Sequence, residues 1–343
     1  MEILLDYSLD EIEKIFIDIG EKKFRAKQLY QSLLLGHNPE DNTTLPKDAK
    51  EKLKDYIWQP IEILKSYNGK NAVKFLFKLC DGNLIEGILM YHSYGNTLCV
   101  STQVGCRMGC KFCASTLDGL VRNLTSGEIL GEVVAVNAFL NGTLKERKIT
   151  NLVLMGSGEP LDNYENVLKF LKLVTSKDSF NFSGRNISLS TCGLCDKIEQ
   201  LSDDFPHIIL TISLHHSLQK KREEIMPIAR KFSLEQIFAS ARKYVEKSGR
   251  RVVFEYTLID GVNDSKQDAL RLSKLTKNLL CHINLIPLNS VKERDLKTSN
   301  NIDSFENELK KLGCSVTIRH SLGSDIEGAC GQLRRKVLSG EQL

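Results

Sequence analysis

From about residue 97 onward the chain repeats one pattern six times: a short apolar run rich in β-branched residues, then a longer segment with helical spacing. The strand-like runs are "TLCVSTQ", "ITNLVLMG", "NISLSTC", "HIILTISLH", "RVVFEYTLI" and "HINLIPLN". Between them lie segments such as "SGEILGEVVAVNAFL", "YENVLKFLKLVTS", "SLEQIFASARKYVEKSG" and "KQDALRLSKLTKNLL". Few folds accept that alternation. Strands joined by helices run parallel, and the helices must cover the sheet. The class is therefore α/β, and an incomplete barrel and an open doubly wound sheet both satisfy the pattern. In either one, ligands bind at the C-terminal ends of the strands. The distinctive stretches gather there: "GCRMGCKFC" after the first strand, "GSGEP" at the end of the second, "STCG" at the third, "SLHHS" at the fourth and "PLN" at the sixth. One shared site at that end of the sheet is the expectation.

The first 96 residues read differently. Residues 1–60 predict a small N-terminal helical domain. "SLDEIEKIFIDIG" opens on Ser8 as an N-cap, "KKFRAKQLYQSLLLG" ends at Gly36 as a C-cap, and Pro46 introduces "KDAKEKLKDYI". Residues 61–96 predict a β-hairpin extension, because "NAVKFLFKLCDGNLIEGILMYHS" alternates on both sides of "DGN". Residues 97–343 form the core. The net charge of +4 is uneven: residues 1–60 hold more acidic than basic side chains, so the positive balance lies in residues 61–343. A polyanionic partner would be sought there. No run of about 18 apolar residues exists, so no membrane partner is expected. The opening "MEILLDYSLDEIEK" is too acidic for a secretory signal. A cytoplasmic chain is the expectation, and its ten cysteines then read as thiols, ligands or catalysts rather than a disulfide framework.

Three of those cysteines, Cys106, Cys110 and Cys113, stand within "GCRMGCKFCAS". Closed zinc sites and most iron–sulfur clusters use four protein ligands. Three thiolates leave one position for something else, and a degenerate zinc knuckle is the bland alternative. "MGSGEP" lacks the lysine of a P-loop and the spacing of a dinucleotide loop. Its glycines permit close backbone approach to a ligand, and Glu159 adds a negative charge suited to an ammonium group. His215 and His216 are sequence neighbours that would point to opposite faces of a strand, so a shared metal ion is rejected. Cys80, Cys192, Cys195, Cys281 and Cys314 read as buried small apolar residues. Cys330 in "GSDIEGACGQL" and Cys99 on the first core strand stand apart as candidate reactive thiols.

The Cys106-x3-Cys110-x2-Cys113 spacing after the first strand, with Phe112 before the last cysteine, is similar to the hallmark of the radical S-adenosylmethionine (SAM) superfamily. Further motifs run in order along nearly the whole chain: "FRAKQLYQ", "TLCVSTQVGCRMGCKFCAST", "RNLTSGEI", "MGSGEPLDNY", "SLSTCG", "ISLH", "MPI", "GVND", "INLIPLN" and "SDIEGACGQLR". Together they resemble the RlmN/Cfr family of radical SAM RNA methyltransferases.

That resemblance implies a six-stranded partial (β/α)6 TIM-like barrel with the N-terminal helical domain attached. One 4Fe-4S cluster would be held by Cys106, Cys110 and Cys113. SAM, used twice per turnover, would be surrounded by Gly158, Glu159, Ser190, Ser213, Leu214, His215 and Asn289. Cys330 would become S-methylated, Cys99 would resolve it, and Glu86 would accept a proton. Read without the family, Glu86 is an exposed strand carboxylate. The implied substrates are an adenine in the peptidyl-transferase centre of 23S rRNA and the adenine 3′ to the anticodon in tRNAs, both methylated at carbon 2.

The implied scheme answers a chemical difficulty, since carbon 2 of adenine is electron-poor and no nucleophile. A first SAM methylates the Cys330 thiolate. A second, split by an electron from the cluster, yields a 5′-deoxyadenosyl radical that takes a hydrogen atom from that S-methyl group. The resulting methylene radical adds to the base, Glu86 helps remove the C2 proton, and Cys99 attacks Cys330 to form a transient disulfide that frees the product. An electron donor such as flavodoxin or ferredoxin and a monomeric chain complete the picture. Arg334, Arg335 and Lys336 would contact phosphates, and the target base would have to be unstacked to reach the pocket. One departure is Cys192, which stands where relatives commonly have Ser in "STSG". Two rivals differ in kind: a Cfr-type enzyme methylating carbon 8 and conferring antibiotic resistance, and a non-catalytic iron–sulfur or zinc RNA-binding module.

Overall fold

The computed structural model describes residues 2–289 and 295–319. Its N-terminal layer contains helices α1 (Leu9–Asp18), α2 (Lys23–Leu34) and the short α3 (Lys47–Lys52). Helix α1 starts where the sequence predicts. The Ser8 hydroxyl accepts from Glu11 N–H at 3.3 Å, and the Glu11 carboxylate accepts from Ser8 N–H at 2.7 Å. That reciprocal cap satisfies two donors the helix cannot. Gly36 follows α2 with φ +83°, a conformation that favours glycine.

Next come β1 (Ile61–Asn68), β2 (Ala72–Leu79) and β3 (Leu84–His92), an antiparallel meander. The predicted hairpin is β2–β3, turning at Asp81-Gly82-Asn83, and β1 is a strand the sequence reading did not reach. The meander is not a free appendage. Strand β3 pairs antiparallel with β4 (Gly95–Cys99), the first core strand, so both belong to one ten-stranded sheet. Cys80 corrects one expectation: it sits in the β2–β3 turn and is exposed, because the turn lies beyond the covered part of the sheet.

After β4 a two-stranded ribbon, β5 (Gln103–Gly105) and β6 (Leu120–Asn123), brackets the cysteine loop. The chain continues through α4 (Ser126–Phe139), β7 (Asn151–Leu154), α5 (Tyr164–Thr175), β8 (Ile187–Thr191), α6 (Cys195–Asp204) and β9 (Ile209–Ser213). It then forms α7 (Gln219–Ile225), α8 (Leu234–Ser248), β10 (Val252–Leu258), α9 (Lys266–Thr276), β11 (Cys281–Pro287), α10 (Ile302–Lys311) and β12 (Val316–Ile318). All six expected core strands are present, and β12 adds a seventh, too short for its periodicity to register.

The strand order decides between the two architectures. A doubly wound sheet reverses direction at a switch point. Here β4, β7, β8, β9, β10, β11 and β12 are consecutive parallel neighbours, so the sheet winds one way as an incomplete barrel. Helix α4 is buried over most of its length because the N-terminal layer covers the side that faces away from the sheet. The Asp6 carboxylate accepts from Ser126 Oγ at 2.7 Å and Gly127 N–H at 2.6 Å, tying that layer to the start of α4. No helix among the described residues is long and apolar enough to cross a membrane.

Candidate active site

Period-two alternation sets the inner wall of the barrel. Thr97 and Cys99, Val153 and Met155, Ser188 and Ser190, Thr211 and Ser213, and Glu255 and Thr257 line one cavity of about 1500 Å³. Their alternates Leu98, Leu189, Ile212 and Tyr256 are fully buried in the core. A barrel interior that serves only packing is filled by Val, Ile and Leu. This one carries hydroxyls and a carboxylate, the lining of a polar ligand site.

The cysteine loop rises from the ribbon at the C-terminal end of β4. Gly105 has φ +80°, and a Cβ there would lie 2.0 Å from Gly119 O, so the two strands meet only around glycine. Cys106 N–H donates to Gly119 O at 2.9 Å. Further along, the Thr116 hydroxyl bridges the Cys110 and Cys113 carbonyls at 3.0 and 2.9 Å. Lys111 N–H reaches Ile225 O at the end of α7, 2.9 Å away. Cys106, Cys110 and Cys113 all line the cavity.

Do these thiols fit a cluster? Burial pushes the Cys106 thiol up to about 12 and Cys110 well above its ordinary value. Such thiols ionise only with a cationic partner beside them. Among the described residues no three His, Cys, Asp or Glu side chains converge as ligands of a single metal ion. Three soft donors spread over one cavity wall fit an iron–sulfur cluster with one iron left open.

The neighbouring loops are cross-braced. Gln103 accepts from Glu159 N–H at 2.8 Å and donates to Asp162 at 3.0 Å and to Asn123 at 2.8 Å. Glu159, only 4% exposed, accepts from Leu161 N–H at 3.0 Å and from Cys192 N–H at 2.7 Å. Burial raises its pKa. Position 192 serves Glu159 through its backbone amide and also through the Cys192 thiol, so the departure falls on a side chain that touches this carboxylate. Gly158 has φ +111° and packs on Gln103, leaving no room for a side chain. His215 ends β9 with φ +55°, its Nδ1 accepting from Thr257 N–H at 3.0 Å. Burial lowers its pKa to about 3, so the ring is neutral with its proton on Nε2. Phe112 meets it edge-on, ring centres 4.6 Å apart. His216 turns away, hydrogen-bonded to Val262 O and Leu218 N–H.

Of the sequence-predicted residues, Gly158, Glu159, Ser190, Ser213, His215, Asn289 and Cys99 line the cavity with the three cysteines. Leu214 does not. Its side chain is buried, its N–H is taken by Glu255 O and its carbonyl by Arg222. Glu86 is not exposed, as its residue type predicted, but 2% exposed and paired with Lys74 at 3.0 Å. Strand β3 is covered on both faces. Ile88 lies opposite Cys99 and lines the cavity, whereas Glu86 shares the face of Ile88 one diagonal step from Cys99 but does not itself line the cavity. Cys330 and the Arg334, Arg335 and Lys336 cluster lie outside the described residues.

Three residues went unread in the sequence. Glu255 accepts from Ser190 Oγ at 3.3 Å and pairs with Arg319 at 3.2 Å inside the cavity. Arg222 donates to the carbonyls of Cys192, Ser213 and Leu214 from beneath the site. The one signal for Glu255 was a carboxylate within the otherwise apolar "VVFEYTL".

The profile of the Radical SAM superfamily matches residues 100–273. A "Probable dual-specificity RNA methyltransferase RlmN" from Clostridium botulinum (strain Okra / Type B1) is 49% identical over 348 residues, covering 99% of this chain and 100% of that one. The protein so described from Clostridium novyi (strain NT) is 48% identical over 346 residues, covering 98% and 99%. The chain belongs to the RlmN family of radical SAM enzymes. A crystal structure of a radical SAM methyltransferase from Sphaerobacter thermophilus superposes with a TM-score of 0.92 at 37% identity, covering 97% of this chain and 99% of that one. Membership in the RlmN family carries the 4Fe-4S cluster and SAM with it, and the cysteines for the cluster are present at the site.

Proposed function

We propose that this RlmN-family chain methylates carbon 2 of adenine in 23S rRNA and in tRNA, through a methylated thiol on Cys330. The observation that carries the reading is the identity of nearly half, over the full length, to relatives described as dual-specificity RNA methyltransferases. When bound, the cluster and SAM supply the electron and the 5′-deoxyadenosyl radical.

The chain's own groups have distinct tasks in this reading. Cys106, Cys110 and Cys113 hold the cluster at the mouth of β4. Gly158, Glu159, Ser190, Ser213, His215 and Asn289 surround SAM, with Gly158 permitting close backbone approach and the neutral His215 offering an Nε2–H donor. Cys330 takes the methyl group and Cys99 later attacks it, so that the product leaves as the two sulfurs bond. Glu86, one diagonal step from Cys99 along the sheet, receives the C2 proton. The basic balance of residues 61–343 meets the phosphate backbone. A flavodoxin or ferredoxin supplies electrons to a cytoplasmic monomer.

The test is mass spectrometry of nucleosides from rRNA and tRNA fragments after anaerobic incubation with reconstituted protein, a reductant and methyl-labelled SAM. Label in 2-methyladenosine, lost in Cys330→Ala, is the expected result. Label in 8-methyladenosine would move the chain to Cfr-type chemistry. No labelled adenosine, despite a loaded cluster and cleaved SAM, would refute the substrate assignment.

A further inference from the structure

Helix α7 reads "QKKREEI", and most of its charges face solvent. Arg222 does the opposite: it is fully buried, the largest side chain so enclosed among the described residues. Its Nε donates to Leu214 O at 2.9 Å, and its Nη2 to Cys192 O at 2.7 Å and Ser213 O at 3.1 Å. One guanidinium therefore binds together the loops that end β8 and β9. Its Nη1 has no hydrogen-bond partner among the described residues. No carboxylate pairs with it there either.

A buried cation without a counter-charge is costly, and an unpartnered buried donor adds to the cost. The ionisable groups nearest to it in effect are the Cys192, Cys110 and Cys195 thiols, each of which would gain from this cation on losing its proton. Of these, Cys110 belongs to the cluster loop. That loop is fastened to the same helix by the Lys111 N–H to Ile225 O bond. Carbonyl dipoles hold the Nε and Nη2 edge of the guanidinium, and Nη1 on the other edge is buried without a partner among the described residues.

We propose that Arg222 is a positioning residue for the cluster, fixing the β8 and β9 loops and supplying a positive charge on the Cys110 side. The proposal rests on the cofactor assignment above. It has an electrostatic consequence. The cluster gains one negative charge on reduction, so a nearby cation favours the reduced state. Losing the cation lowers the reduction potential.

The measurement is the midpoint potential of the anaerobically reconstituted cluster, followed by electron paramagnetic resonance, together with bound iron and sulfide. In Arg222→Met the reduction equilibrium should shift at least tenfold against the reduced form, a fall of about 59 mV for one electron. Arg222→Lys keeps the charge but not the fork, and its midpoint should stay within that interval of the wild type. A loaded Met variant with an unchanged midpoint overturns the proposal. A Lys variant whose midpoint falls as far as that of Met also overturns it, since charge would not be the agent. The wild-type chain labelled with 15N-arginine gives a readout free of folding effects. Hyperfine coupling from a guanidinium nitrogen to the reduced cluster is expected, and its absence overturns the assignment. A wild-type chain that takes up no cluster would overturn the cofactor assignment and this proposal together.

Discussion

His215 ties the fold to pH in a way that can be worked through. Its Nδ1 accepts from Thr257 N–H, its ring lies edge-on to Phe112, and it is almost completely buried. Burial first, and the nearby Arg222 charge second, lower its pKa from 6.5 to about 3. The folded chain thus keeps the ring neutral over a range where the unfolded chain protonates it. The stabilisation is fully present above the unfolded value of 6.5 and drains away as the pH falls toward about 3. Each pH unit within that window is worth at most about 1.4 kcal/mol. Between pH 6.5 and 5 the loss from this group is therefore about 2 kcal/mol. Denaturant unfolding of the cluster-free chain at several pH values would measure it. The comparison is with His215→Gln, whose side-chain oxygen still accepts from Thr257 but does not titrate. His216 titrates equally in both chains and cancels. The wild type should lose about 2 kcal/mol more than the variant over that interval. Parallel stability profiles would refute the argument that burial holds this ring neutral.

Other perturbations follow from particular contacts. Lys74→Met removes the cation 3.0 Å from the Glu86 carboxylate, which is 2% exposed, and should cost about 3–5 kcal/mol in thermal or urea unfolding. The double change Lys74→Met with Glu86→Leu should recover most of that, and a single variant as stable as the wild type would show the pair to be dispensable. Gly158→Ala puts a Cβ 2.6 Å from Gln103 Cβ at φ +111°, so about 1–3 kcal/mol of stability should go. SAM affinity by calorimetry should fall with it, and unchanged binding would place SAM elsewhere. Asp6→Ala removes the acceptor for Ser126 and Gly127, and a loss of about 1–2 kcal/mol is expected in unfolding experiments.

The sequence made the parallel α/β core legible because its core strands are apolar and its helices periodic, from "TLCVSTQ" to "HINLIPLN". It left barrel and doubly wound sheet undivided, since strand order is a long-range property that local spacing does not encode. Strand β1 was lost because "IEILKSYN" mixes charges into its alternation, and β12 because it has only three residues. The cysteine loop and "GSGEP" were readable from glycine and thiol spacing alone. Arg222 was not, for "KKREEI" has the composition of a solvated helix face, and only the fold turns that one position inward. Glu86 misled for a related reason. Its carboxylate suggests solvent, but β3 is covered on both faces and Lys74 supplies the charge partner.

The most direct test of the central claim uses SAM whose methyl group is fully deuterated. If the methyl passes through Cys330 and loses a hydrogen atom there before reaching carbon 2, the 2-methyladenosine formed should retain two of the three deuterium atoms, with the third in 5′-deoxyadenosine. Product that retains all three would mean direct transfer from SAM to the base, and the thiol relay assigned to Cys330 and Cys99 would be wrong.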